Sequence, residues 1–237
     1  MRNSWLSSKF LGPVAAVAIA GMALWNMPLR AAESAVEIPA PAVDAPAQSG
    51  LQKVVLAGGC FWGIQAVYQH TEGVKQAISG YSGGTKQTAM YEVVSGGQTG
   101  HAEAVEVTFD PQKISYGKIL QIFFSVAHNP TELNRQGPDS GTQYRTNIFY
   151  ANAEQERVAK AYIAQLDKLG VFKRPIVTRV DKLDAFYPAE AYHQDYAILH
   201  PNNPYIAIND APKVENLKRV LPNLYRQQPV TVASASK

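Results

Sequence analysis

The chain runs to 237 residues, 46% hydrophobic and 17% charged, a balance that excludes a disordered or fibrous protein and suffices for a substantial core. Lys and Arg number 22 against 19 Asp and Glu, yet Arg2, Lys9 and Arg30 all fall in the first 31 residues, which hold no acid. The remainder balances at 19 against 19, so there is no electrostatic footprint for nucleic acid, and small or neutral partners are expected.

Residues 1–31 have the parts of an export signal: Arg2 and Lys9, an apolar stretch from Phe10 to Trp25, and small residues at Ala31 and Ala32. Export to a periplasm is the expectation, with an uncleaved membrane anchor as the alternative, because Leu29, Arg30 and Ala31 match a cleavage site poorly. Residues 32–50, with Pro39, Pro41 and Pro46 among alanines and no helical or strand period, predict a flexible linker. A catalytic domain is predicted over 51–221 and a C-terminal tail over 222–237.

Within the domain, Lys53–Ala57 predicts a strand broken by Gly58 and Gly59. Phe61, Ile64, Val67 and Tyr68 then mark a helix over Cys60–His70. Val74–Tyr81 predicts a second strand. Ala102–Phe109 predicts a third, half-buried, with Ala104, Glu106 and Thr108 alternating against Val105, Val107 and Phe109. Ile119, Ile122, Phe123 and Val126 share a helical face after Ser115, and Asn129–Gly141 is a polar loop. A strand at Tyr144–Tyr150, a helix at Ala153–Leu169 capped by Gly170, a strand at Ile176–Val180 and helices at Ala189–Leu199 and Pro212–Leu221 complete the chain. Interleaved strands and helices without internal repeat predict a single α+β domain with a mixed sheet.

One cysteine, Cys60, occurs in the sequence, so no intramolecular disulfide can form within it. Cys60 follows a strand and a glycine pair at the predicted first turn of a helix, where free N–H groups and the macrodipole favour an anion, and a thiolate is the anion available. A buried structural cysteine is the competing reading. Phe61 suits a core position. Trp62, about 100° further round the helix, suits the wall of an apolar pocket beside the thiol. His70, His101, His128, His193 and His200 are not paired at ligand spacing, so no metal is expected.

GCFWG at 59–63 resembles the active-site motif of the A-type peptide methionine sulfoxide reductases. The resemblance continues through GYSGG at 80–84, TGHAEAV at 99–105, NRQGPDSGTQYRT at 134–146, and AYHQDY and HPNNPY within 191–205. It implies a two-layer sandwich with a ferredoxin-like core, no cofactor, and reduction of methionine (S)-S-oxide, free or in proteins. It implies that Cys60 attacks sulfur and ends as a sulfenic acid, that Glu103 supplies the proton, and that Tyr81 and Tyr144 point hydroxyls at the sulfoxide oxygen. It further implies that Asp139 organises the site and that Phe61 and Trp62 accommodate the terminal methyl group. His193 is expected to play a structural part near the pocket. Ala102 and Ala104 make an enclosed, protonated Glu103 credible from the residues alone. Many members of the family carry further cysteines that resolve the sulfenic acid; with Cys60 alone, an external donor is expected, whether thioredoxin-like, glutaredoxin or a small thiol. A monomer is expected. Two rivals stay open at this point: a cysteine hydrolase using one of the histidines, and a peptide-binding module in which Cys60 only packs.

Overall fold

The computed structural model describes Met1, residues 34–46 and residues 48–235, so the leader predicted at 1–31 lies, Met1 apart, outside the described residues. Its strands are β1 (Gln52–Gly58), β2 (Val74–Ser82), β3 (Ala102–Phe109), the short pair β4 (Arg135–Gln136) and β5 (Asp139–Ser140), β6 (Thr146–Tyr150), β7 (Arg179–Lys182) and β8 (Phe186–Pro188). Its α-helices are α1 (Phe61–Gln69), α2 (Tyr91–Val94), α3 (Tyr116–Ile122), α4 (Ala153–Leu169), α5 (Tyr196–Leu199), α6 (Ala211–Val220) and α7 (Val232–Ala235). π-Helical turns at Phe123–Ala127 and Ile206–Asp210 adjoin α3 and α6.

Six strands form one mixed sheet in the order β7-β6-β1-β3-β2-β8, antiparallel throughout except for the parallel β6–β7 pair. Within it, α1 crosses from β1 to the parallel β2 with β3 paired between them, and β6 flanks β1 on the other side. This is the split βαβ arrangement of a ferredoxin-like α+β core. Period-2 alternation sends Val54 and Leu56 of β1, and Val105, Val107 and Phe109 of β3, to one face. There they meet Ile64, Val67 and Tyr68 of α1, Ile119 and Ile122 of α3, and Val158 and Leu166 of α4. Each large aliphatic side chain taken from water here contributes about 1.5–3 kcal/mol.

The opposite face differs from the expectation of a half-buried β3. Ala102 and Ala104 are buried with Val55, Ala57 and Phe149, and Leu183 and Phe186 pack on them. Phe186 stands on the β8 edge and Phe149 on β6, four strands away in sheet order, so the sheet curls until both reach one small apolar cluster. Glu106, on this face, is covered on one side by Lys53 at 2.7 Å.

Helix α4 follows its sequence pattern closely: the Asn152 side chain accepts from the Gln155 N–H at 3.0 Å, and Gly170 ends the helix at φ 61°. Three other segments depart from expectation. The predicted strand at 176–180 starts only at Arg179, because the Ile176 N–H is donated to the Asp167 carboxylate and the Val177 N–H to the Pro130 carbonyl, leaving neither for a ladder. The predicted helix at 189–199 is broken at Gln194 and at Asp195, whose φ is 58°. The Gln194 amide instead accepts from the Ser79 N–H (3.0 Å) and donates to the Ser79 carbonyl (2.9 Å), serving β2 as a substitute strand neighbour. The predicted strand at 144–150 begins at Thr146, and Tyr144 sits on a 3₁₀ turn, Thr142–Tyr144, ahead of it.

The segment predicted as a flexible linker is, over its described residues, a strap seated on α3 and α4. Its backbone is held by Gln121, Ser125, Tyr162 and Gln165, Ile38 is buried, and Asp44 accepts from the Gly117 N–H (2.7 Å) and the Ser115 hydroxyl (2.5 Å) at the start of α3. The three prolines keep it extended without competing for a helix, and side chains rather than a sheet satisfy its carbonyls. The tail also folds back on the domain. Tyr225 bridges to Thr71, and the Val232 N–H is bonded to both oxygens of Asp195, which itself accepts from the Gln69 amide at 2.5 Å.

Candidate active site

The central strand β1 delivers Cys60 to the N-cap of α1 through Gly58 and Gly59. Gly59 has φ +97°, and a Cβ there would fall 2.6 Å from the Gln136 side chain, so only glycine allows the turn that aims the next residue at the site. Cys60 is 9% exposed, at the edge of the core. Of the free N–H groups opening α1, that of Phe61 is donated to Glu103 Oε2 at 3.1 Å, and that of Trp62 faces the Cys60 sulfur. A side chain on β3 and the helix that carries the cysteine are thereby tied together.

Glu103 lies at the end of the core-facing row of β3, of the same parity as Val105 and Val107, and pairs across the ladder with Tyr81 of β2. It is 2% exposed, and burial pushes its carboxyl up to about 8, against the lowering effect of the Phe61 N–H, with Asp139 and Asp210 adding to the rise. At neutral pH this carboxyl therefore holds its proton. The thiol behaves differently from the dipole-based expectation. Burial first, then Asp210, Glu103 and Asp139, push Cys60 well above the ordinary thiol range, and the Trp62 N–H opposes them only in part. The helix N-terminus is present, but desolvation outweighs it and favours the thiol.

The aromatic side chains take distinct places. Phe61 is buried in the core, whereas Trp62 is half-buried and stacks on Tyr196 at 4.0 Å and 12°. Tyr144 is half-buried, and burial followed by Glu103, Asp139 and Cys60 raises its hydroxyl, which places it among these groups. The Tyr81 hydroxyl is donated to Glu190 Oε2 at 2.9 Å, so it serves that carboxylate. Asp139, on β5, accepts a hydrogen bond from the Tyr205 hydroxyl. His193 is buried, and its Nδ1 accepts from Trp62 Nε1 at 3.3 Å, fixing the indole as a structural neighbour should. Its Nε2 has no hydrogen-bond partner among the described residues, so neither nitrogen is seen to serve the thiol as a hydrolase base would.

Sequence reasoning missed Glu190, Tyr91, Tyr196, Tyr205, Asp210 and Lys213. Glu190 accepts from the Tyr91 N–H as well as from Tyr81, joining α2 to β2. Of these residues, all but Lys213, which stands in the first turn of α6, belong to or flank short turns and π-turns, which show no apolar period. The runs AYHQDY and HPNNPY mark the region without saying which side chains turn inward. Among the described residues no group of three or more His, Cys, Asp or Glu is placed to hold a metal ion.

A ferredoxin-like α+β domain with one cysteine at a helix N-cap, a proton-bearing glutamate tied to the same helix turn, and aromatic rings around both belongs to the class of cysteine-based redox enzymes. The chain matches the family Peptide methionine sulfoxide reductase over residues 52–224. It is 56% identical over 194 residues to a peptide methionine sulfoxide reductase of Mesorhizobium japonicum, covering 82% of this chain and all of that one. It is 50% identical over 186 residues to another from Synechocystis, covering 77% and 87%. Among solved structures, methionine sulfoxide reductase A of Corynebacterium diphtheriae superposes with TM-score 0.57 at 30% identity, covering 72% of this chain and 86% of that one. Mxr1 of Saccharomyces cerevisiae in reduced form superposes at 0.58 and 31%, covering 68% and 91%. The chain belongs to the peptide methionine sulfoxide reductase family.

Proposed function

We propose that this enzyme reduces methionine (S)-S-oxide, free or in proteins, with Cys60 as the attacking sulfur and Glu103 as the proton donor. The observation that carries the assignment is the hydrogen bond from the Phe61 N–H to a buried Glu103, which fixes a protonated carboxyl beside the residue that begins α1. A sulfoxide oxygen leaves poorly unless protonated. As Cys60 sulfur bonds to the substrate sulfur, Glu103 gives its proton to the oxygen and takes up the thiol proton in exchange. The hydroxyl then passes to the Cys60 sulfur as both the sulfur–sulfur bond and the substrate's sulfur–oxygen bond break, leaving methionine and a Cys60 sulfenic acid. Carbon, sulfur and oxygen balance, the thiol is oxidised by two electrons, and Glu103 ends in the acid form in which it began.

Tyr144 offers its hydroxyl as a neutral donor to the developing charge, a reading supported by Glu103 and Cys60 among its neighbours, and Tyr81 joins it by leaving Glu190. Trp62, with Phe61 behind it, receives the terminal methyl group, and Asp139 organises the oxygen side through Tyr205. Regeneration consumes two thiol equivalents from outside: the first forms a mixed disulfide with release of water, and the second releases Cys60 as a thiol. A thioredoxin-like protein, a glutaredoxin or a small thiol supplies them, since the sequence holds no second cysteine. The leader, with Arg2 and Lys9 ahead of an apolar stretch, supports export to the periplasm, and the enzyme works there as a monomer.

Incubation with methionine-S-sulfoxide and no reductant should add one oxygen to Cys60, seen by mass spectrometry and dimedone trapping, with one methionine released per chain. Cys60→Ser should release none. Turnover by that variant sinks the assignment.

A further inference from the structure

Directly after Tyr144 comes a guanidinium that the chemistry above leaves without a task. Arg145 is half-buried, and its three hydrogen bonds among the described residues all go to main-chain carbonyls. Nη1 is donated to the Thr142 carbonyl at 2.9 Å and to the His101 carbonyl at 3.0 Å, and Nη2 to the Gly100 carbonyl at 2.8 Å. Thr142 opens the 3₁₀ turn that ends on Tyr144, whereas Gly100 and His101 lead into β3, where Glu103 stands two residues on. One planar fork therefore staples the turn bearing Tyr144 to the strand bearing Glu103. Two more bonds run the same way, from Thr142 Oγ1 to the Gly97 carbonyl at 2.6 Å and from Gln143 Nε2 to the Ser95 carbonyl at 3.0 Å.

The GYSGG run is shaped around this clamp. Gly83 has φ +96°, and a Cβ there would fall 2.7 Å from Arg145 Nη2 and 3.0 Å from the Gly100 carbonyl oxygen, so a side chain at 83 would push the fork off its partners. The His101 ring locks the next residues, its Nδ1 accepting from the Gly84 N–H at 3.2 Å and its Nε2 lying 2.9 Å from the Thr85 carbonyl oxygen. A cation drawn partly out of water loses hydration, and here three carbonyl dipoles replace it. The Thr142–Tyr144 turn is a single 3₁₀ turn behind Gly141, so its orientation is set by these cross-links rather than by its own length.

We propose that Arg145 is a positioning residue that fixes Tyr144 relative to Glu103, so that hydroxyl and carboxyl address one sulfoxide oxygen together. A donor displaced by about 1 Å still lets substrate bind but serves the transition state poorly, so the loss falls on the rate of oxygen transfer.

The test is a double-mutant cycle on single-turnover oxygen transfer to Cys60 at saturating methionine-S-sulfoxide, read by mass spectrometry of rapidly quenched enzyme. Arg145→Met should slow transfer about 10- to 10²-fold and change the half-saturating sulfoxide concentration by no more than about twofold. In the Tyr144→Phe background the same substitution should slow it less than about twofold, because no hydroxyl is left to misplace. A merely structural role would slow both backgrounds alike. Arg145→Lys keeps the charge without the fork and covers the case in which the methionine variant does not fold; its effect should likewise vanish in Tyr144→Phe. Slowing as large in Tyr144→Phe as in the parent, or none in the parent, overturns the proposal. The inference rests on the donor role given to Tyr144, but Tyr144→Phe alone reads that role and methionine release by the parent reads the reductase assignment, so the three failures are separate results.

Discussion

At the scale of single residues, the proposed chemistry depends on one proton. Glu103→Gln keeps the shape and the acceptor for the Phe61 N–H but has no proton to give. Substrate binding should persist, while the single-turnover rate of sulfenic acid formation falls by about 10²–10⁴. An unchanged rate would remove Glu103 from the acid role. The same proton gives two pH signatures. In the folded enzyme it is lost near 8, so oxygen transfer should slow as pH rises through that value. In the unfolded chain it is lost near the ordinary 4.5, so between 4.5 and about 8 the folded state binds more protons and stability falls with rising pH. Glu103→Gln removes that slope. Its melting temperature relative to the parent should therefore climb from pH 5 to pH 8 and then level off. A difference independent of pH would show that Glu103 carries its ordinary affinity for the proton.

Glu103 was legible from the TGHAEAV resemblance and from its place between two alanines. The ionisation of Cys60 was not. The sequence locates it at a helix start, where dipole reasoning favours the thiolate, but burial, the largest effect on it, favours the thiol. No local pattern reports desolvation by tertiary packing.

At the scale of elements, long periodic segments were legible and short polar ones were not. Helix α4 and strand β3 have the bounds that their patterns predict, since 3.6- and 2-residue repeats survive whatever packs on them. The strap over 34–46 has no period, and what orders it is a set of side chains on α3 and α4 that the local sequence cannot name. Asp44→Ala removes the acceptor of both the Gly117 N–H and the Ser115 hydroxyl. It should cost about 1–2 kcal/mol in denaturant unfolding with activity at saturating substrate unchanged. A variant with the parent's midpoint would mean that the strap contributes nothing to stability. The segment after β8 is a similar case, in which Gln194 gives up a helical backbone to complete the hydrogen bonds of β2 and thereby brings Glu190 and His193 to the site.

At the scale of the whole molecule, the C-terminal segment closes the domain against the far end of the cysteine-bearing helix. The Glu72 N–H is bonded to the Leu224 carbonyl at 2.7 Å, the Arg226 N–H to the His70 carbonyl at 2.8 Å, and the Val230 N–H to the Gln69 carbonyl at 3.0 Å, with Tyr225 stacked on His70. Truncation after Leu221 strips these partners from the end of α1. It should lower the melting temperature by roughly 5–10 °C, at about 2–4 °C per kcal/mol for a domain of this size. A melt identical to that of the full chain would make the segment an appendage.

Composition, periodicity and short motifs were enough to give an α+β domain, a lone cysteine at a helix start, an acid in a closed strand position, and the family to which the chain belongs. These properties are local: alternation, spacing and a glycine break are written within about ten residues and need no distant partner. Only the folded chain decided the burial of that cysteine, the engagement of Tyr81 by Glu190, and the seating of residues 34–46 and of the described C-terminal segment on the domain. Each of those depends on groups far apart in sequence meeting where water is excluded, and there the balance of desolvation against paired charge is set by three-dimensional neighbours.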